Sequence, residues 1–188
     1  EAPRKGEMKA AVIAMGKKAA RLGADIRLNT PVTAELIEEI KPHTVFNAIG
    51  ATPIIPNILG KDQKFVVNSH DVLNGLATPE GNVVVIGGGL VGLEVCEYLA
   101  EKGCKVTVLE MMKECGADLG MARKICVQES LYMSGVVQQT EVTVKEIAEG
   151  KVIGEKAGET VEYPCDYAVM AIGSKSRDGR MIEAAARK

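Results

Sequence analysis

The stretch Asn82-Val83-Val84-Val85-Ile86-Gly87-Gly88-Gly89-Leu90-Val91-Gly92-Leu93-Glu94 reads as a strand, a tight glycine turn and the start of a helix in immediate succession. Val83 to Ile86 is the unbroken apolar run of a strand buried on both faces. From Leu90 to Lys102 the apolar residues fall at helical spacing, at Leu90, Leu93, Cys96 and Leu99-Ala100. Between them Gly87, Gly89 and Gly92 satisfy G-x-G-x-x-G. In such a turn the first glycine makes the bend, the second lets backbone approach a pyrophosphate, and the third lets helix pack closely on strand. The free amides at the helix start then face the phosphates.

Twenty glycines in one chain make the pattern weak by itself, and its context decides. After Gly103 a second strand, Lys105 to Leu109, ends in Glu110, eighteen residues beyond Gly92. An acidic residue there is placed to accept hydrogen bonds from a ribose diol and to repel a 2′-phosphate, which favours NADH over NADPH. Lys113, close by in sequence, either softens that preference or is a solvated surface charge, and the surface reading carries more weight. A complete βαβ unit is expected.

A chain of 188 residues, 46% hydrophobic, has material for one complete core and part of a second. A net charge of -2, 3% aromatic residues and no Trp argue against a nucleic-acid partner. The longest uncharged apolar stretch, Val83 to Leu93, is interrupted by four glycines and falls short of a membrane span. Five scattered cysteines without a C-x-x-C suggest a reducing cytoplasm and indicate no zinc site, iron-sulfur site or redox-active pair, so no metal ligand is assigned. The opening residues, Glu1 to Glu7, lack the features of a secretory leader and read as the interior of a longer chain.

The chain also echoes itself. Thr44 to Thr52, an apolar strand running into Ala48-Ile49-Gly50, is matched by Tyr167 to Lys175, which runs into Ala171-Ile172-Gly173. Upstream of each lie a helix (Met8 to Leu22; Met121 to Met133), a glycine, and a short strand (Ile26 to Thr33; Val136 to Thr143). Antiparallel strands are expected around 142–147, 151–154 and 160–163, and a return strand over 167–172. The fold class expected is α/β: a Rossmann-like dinucleotide-binding domain whose parallel sheet has an antiparallel meander crossover, plus the truncated tail of a second such domain. The boundaries read are residues 1–79 for the partial domain and linker, 80–174 for the complete one, and 175–188 for a return segment.

Ala48 to Pro53, the glycine turn, and Glu110-Met111-Met112-Lys113-Glu114-Cys115-Gly116-Ala117-Asp118-Leu119-Gly120 together resemble the pyridine nucleotide-disulfide oxidoreductase superfamily. More narrowly they resemble the C-terminal region of long-form NADH:flavin oxidoreductases of the Old Yellow Enzyme type, which include 2-enoate and 2,4-dienoyl-CoA reductases. The resemblance runs from about Glu1 to Ser174. It implies a parent whose N-terminal barrel carries FMN and a 4Fe-4S cluster and reduces an activated C=C bond, with this region binding FAD and NADH. By position it puts Gly87, Gly88, Gly89, Leu90, Val91 and Gly92 on the NADH pyrophosphate, Glu110 at the adenosine ribose, Met111 in the loop beside the nucleotide, and Val142 at the adenine. Ala171, Ile172 and Gly173 fall on the nicotinamide side, and Gly50, Ala51 and Thr52 on one wall of a flavin site. Glu94 falls near the nicotinamide or flavin edge; a carboxylate in a first helical turn also favours the helix dipole, and both readings stay open.

Barrel, cluster cysteines and flavin glycine loop are not in these 188 residues, so the fragment alone is expected to be inactive and to hold FAD poorly. Hydride transfer needs positioning more than acid-base side chains, and no catalytic residue is assigned; His43 and His70 read as structural or surface residues. Two other readings compete: a non-catalytic domain binding ADP or NAD as a structural ligand, and an S-adenosylmethionine methyltransferase. The second leaves the repeated Ala-Ile-Gly strand ends unexplained and ranks last.

Overall fold

The computed structural model describes Pro3 and residues 5–187. Glu1, Ala2 and Arg4, on which part of the N-terminal reading rests, and Lys188 lie outside the described residues. In chain order the elements are α1 (Gly6–Arg21), α2 (Ala34–Ile40), β1 (Ala51–Pro53), β2 (Val66–Asn68), α3 (Ser69–Leu73), β3 (Asn82–Ile86), α4 (Leu90–Glu101) and β4 (Lys105–Leu109). They continue with α5 (Met121–Met133), β5 (Val137–Gln139), β6 (Val142–Ala148), β7 (Lys151–Lys156), β8 (Glu159–Pro164), β9 (Tyr167–Met170), β10 (Ser174–Ser176) and α6 (Arg180–Ala186). The chain forms two compact units.

The larger unit takes in Pro53–Gly173 with the described N-terminal residues up to Gly6. Its sheet runs β5-β4-β3-β9-β2, and every neighbouring pair is parallel. This is the mixed α/β, Rossmann-like architecture expected. The strand β3 lies centrally because its side chains are apolar on both faces. Val83 and Val85 pack with Val72 of α3, Leu93 and Leu99 of α4 and Leu131 of α5. Val84 and Ile86 point the other way, onto Val142 and Ile147 of β6 and Val152 of β7. The antiparallel meander β6-β7-β8 thus covers the face that the helices leave open, and carries the chain from β5 across to β9.

One expected strand, 136–143, is two. The backbone breaks at Glu141, whose φ is +58°, where the chain leaves the parallel sheet edge and enters the meander.

The smaller unit comprises Glu7–Thr52 and the described residues from Ser174 onward. Its small core joins Ile37 of α2 with Ile182 and Ala185 of α6. Thr33 caps α2 through a hydrogen bond from the Leu36 amide. The helix α1 forms where its apolar spacing places it, but no residue of it is buried. The strands expected over 26–33 and 44–49 do not form. An extended segment becomes a strand only when another backbone pairs with it, and among the described residues none pairs with these two segments. Phe46 is accordingly 90% exposed. Just after the first Ala-Ile-Gly, the chain pairs in the short β1–β10 ladder.

Candidate functional site

The glycine turn is built as its sequence requires. The Gly87 amide donates to the Leu109 carbonyl at 2.8 Å, which ties the end of β3 to the end of β4. Gly87 has φ +109°, and a Cβ on it would stand 2.5 Å from the Ala171 carbonyl oxygen. A Cβ on Gly92 would fall on the Gly87 carbonyl, so α4 can lie this close to the turn only without a side chain there. Gly88 is crowded by Cys115 Sγ and by the Glu110 side chain. At Gly89 the protein itself leaves room: the one neighbour a Cβ would meet is Asp118 Oδ2, at 3.6 Å. Gly89 is also the N-cap of α4 and has no side chain to cap it.

In front of this turn lies a cavity of about 660 Å³, of the size that holds small-molecule ligands. It opens at the C-terminal ends of β3, β4 and β9, where the order of the parallel sheet reverses and where such sheets bind ligands. Of the residues singled out in the sequence, it brings together Gly87, Gly89, Leu90, Val91, Glu110, Met111, Val142, Ala171, Ile172 and Gly173. Gly88 and Gly92 stand behind the lining and shape the turn. Lys113 is exposed and does not line the cavity. Gly50, Ala51 and Thr52 belong to the smaller unit.

Glu94 also lies outside the lining. It is buried on α4, where its Oε1 accepts from Arg123 Nη2 at 2.9 Å and pairs with Lys5 Nζ. In this protein its carboxylate ties α4 to α5.

Glu110 has the geometry of a diol acceptor. Its Oε2 accepts from the Gly88 amide at 2.7 Å and its Oε1 from the Met112 amide at 2.8 Å. A carboxylate offers about four lone-pair sites, so each oxygen keeps one for a further donor, and two hydroxyls on adjacent carbons match that pair. The same two amides fix the side chain at the turn. No Lys, Arg or His is among the described residues that line the cavity. The hydrogen-bond donors among the described lining residues are therefore backbone amides and the Thr143 hydroxyl.

Sequence reasoning missed several lining residues. Pro56 and Ile58 sit in a linker with no periodicity, and Thr143 and Val144 continue β6 beyond the one residue read. Asp118 stood inside a quoted motif without a role; its Oδ2 accepts from the Leu90 amide at 3.3 Å. All five cysteines are unpaired thiols. Burial, reinforced by the Glu110 charge, pushes Cys115 up to about 11, so beside the turn it is a small apolar side chain and not a nucleophile. Among the described residues no helix is long and apolar enough to cross a membrane, and no cluster of side chains is set to hold a metal ion.

The family model described as "Pyridine nucleotide-disulphide oxidoreductase" matches residues 12–186. A bilirubin reductase of Mediterraneibacter gnavus is 39% identical over 92% of this chain, which corresponds to 27% of the relative. An NADH oxidase of Thermoanaerobacter brockii is 35% identical over 81% of the chain and 24% of the relative. Among solved structures, a 2-naphthoyl-CoA reductase in complex with 2-naphthoyl-CoA superposes with a TM-score of 0.86 at 30% identity, covering 98% of this chain and 28% of that one. The chain spans about a quarter of the length of these proteins.

Proposed function

Because the chain belongs to the pyridine nucleotide-disulphide oxidoreductase family, whose members use FAD and NAD(P)H, we propose that its larger unit is the NADH-binding module of a flavin-dependent oxidoreductase. The observation that carries this reading is the turn and cavity taken together: a helix start whose own N-cap, Gly89, has no side chain opens on a cavity that has a doubly anchored carboxylate on one side. Bound nicotinamide supplies a hydride. The chain's own residues bind and orient the nucleotide. Amides at the start of α4 receive the diphosphate, Glu110 takes the adenosine ribose, and Val142 backs the adenine. Ala171, Ile172 and Gly173 support the nicotinamide end, while Ile58, Leu109 and Met111 add apolar surface to the cavity and exclude water.

The finer reading places this chain in a parent of the Old Yellow Enzyme type, in which FAD receives the hydride and an N-terminal barrel with FMN and a 4Fe-4S cluster reduces an activated C=C bond. The reductases among the relatives, and the short share of each relative that the chain spans, support it. In this reading residues 80–174 are the NAD(H) domain, and 1–79 with 175–188 belong to an FAD-type domain in which Gly50, Ala51 and Thr52 form one wall of the flavin site. The sequence has one G-x-G-x-x-G, so the flavin phosphates are assigned to another part of the parent. The same reading places the parent in the cytoplasm, in keeping with the five free thiols of this chain.

A second reading, an ADP- or NAD-binding domain kept for assembly, is favoured by the same turn, because the turn recognises only the diphosphate half. Calorimetric titration separates the two. The proposal expects NADH to bind roughly ten-fold or more tighter than ADP, and NADH to bleach the flavin of the parent enzyme. Equal affinities and an unbleached flavin would transfer the conclusion to the assembly domain.

A further inference from the structure

Four amides at the start of any α-helix lack intrahelical partners. In α4 the N-cap is Gly89, which offers no side-chain acceptor. A residue twenty-eight positions away does the capping: Asp118 Oδ2 accepts from the Leu90 amide at 3.3 Å and is the group closest to the open side of Gly89, at 3.6 Å from where a Cβ would lie. Asp118 lines the cavity and is exposed. Its loop is anchored just upstream, where the Gly116 amide donates to the Gly88 carbonyl at 2.8 Å, and rejoins a helix at Met121. The carboxylate can therefore swing off by side-chain rotation alone, into water that solvates it.

We propose that Asp118 is a stand-in for the diphosphate: it caps α4 while the cavity is empty and is displaced when the nucleotide binds. This rests on the nucleotide reading above. Leu90 has one amide hydrogen, and two anions at one helix start repel each other at close range. No Lys, Arg or His among the described lining residues neutralises either of them. Nucleotide binding is then an exchange of one anion for another, and its net gain is reduced by the contact given up. Asp118 faces the part that ADP, NADH and NADPH share, so it lowers affinity for all of them by one common factor. Glu110 faces the ribose and distinguishes among them. Asp118 is a positioning residue that sets affinity.

The test compares the 188-residue chain with Asp118→Asn and Asp118→Ala, by calorimetric titration with ADP and NADH and by thermal unfolding without nucleotide. Asn keeps an acceptor and removes the charge. Asp118→Asn is expected to bind both ligands tighter, by the same factor of about three to ten. Asp118→Ala gains at least as much in affinity, yet melts a few degrees lower without nucleotide because α4 has lost its cap. A side chain that only supported the fold would lower stability and affinity together. Unchanged or weaker binding by Asp118→Asn, a gain confined to NADH, or an unmoved melting temperature in Asp118→Ala overturns the exchange while the nucleotide site stands. Failure of the unsubstituted chain to bind either ligand overturns the nucleotide reading, and this inference with it.

Discussion

At the scale of single residues the site turns on what each carboxylate already holds. Glu110 is committed to the Gly88 and Met112 amides through one lone pair on each oxygen, which leaves a further acceptor site on each oxygen of this cavity-lining side chain. Glu110→Gln keeps the volume but loses the charge and turns one acceptor into a donor. NADH affinity should fall roughly ten-fold or more, the cost of a charged hydrogen bond. Glu110→Arg should in addition shift the NADH-to-NADPH affinity ratio toward NADPH, because a guanidinium can pair with a 2′-phosphate. Titration of both variants with both nucleotides reads this, and a ratio unmoved in Glu110→Arg would remove the ribose from Glu110. The residue was legible beforehand because its position depends only on spacing: strand, turn, helix and strand fix where the acid after β4 must stand. Asp118 was not legible in that way. It reaches α4 from a loop, and no period in the sequence connects a loop residue to an amide twenty-eight positions earlier.

At the scale of elements, legibility follows burial. The strands β3 and β4 and the helices α4 and α5 were readable nearly to the residue, since each carries apolar residues at the spacing its core face demands. The segments 26–33 and 44–49 have comparable apolar content, but among the described residues no strand pairs with them, and a pattern read along one chain does not report strand pairing. The linker from Ile54 to Gln63 shows the opposite case, a segment with no periodicity that forms a wall. Its Ile54 amide donates to the Gly173 carbonyl at 2.9 Å, its Leu59 carbonyl accepts from the Ile147 amide at 2.8 Å, and Gln63 Nε2 donates to the Ile147 carbonyl at 2.5 Å. Between these anchors Pro56 and Ile58 face the cavity. Gly60 makes the clamp possible: its φ is +83°, and a Cβ there would fall on the Ile147 carbonyl. Gly60→Ala should cost about 2–4 kcal/mol from the combined strain and overlap, make the linker the first site of limited proteolysis, and weaken NADH binding. Gln63→Ala should act in the same direction but less. Thermal melts together with mapping of the first cleavage provide the check; a Gly60→Ala protein with wild-type melting and an uncut linker would show that the clamp does not hold the wall.

At the scale of the whole molecule the sign of the electrostatics is unusual for a phosphate site. The chain carries a net charge of -2, Glu110 and Asp118 both face the cavity, and the described lining has no Lys, Arg or His. In the proposed site a dianionic diphosphate would be repelled at long range and held at short range by amide hydrogen bonds and the start of α4. Salt acts differently on these two parts. The Debye length shortens from about 30 Å at 0.01 M to about 8 Å at 0.15 M, which removes repulsion between separated charges but leaves contacts at hydrogen-bond distance nearly intact. NADH affinity should stay level or rise as sodium chloride increases from roughly 20 to 500 mM, whereas a site built on cations loses affinity over that range. NADPH, with its additional phosphate near Glu110, should rise more steeply than NADH. Titrations at four or five ionic strengths measure both slopes. A fall in NADH affinity of more than about three-fold would mean that a cation from beyond the described lining takes up the diphosphate, and the amide-held site would have to be given up.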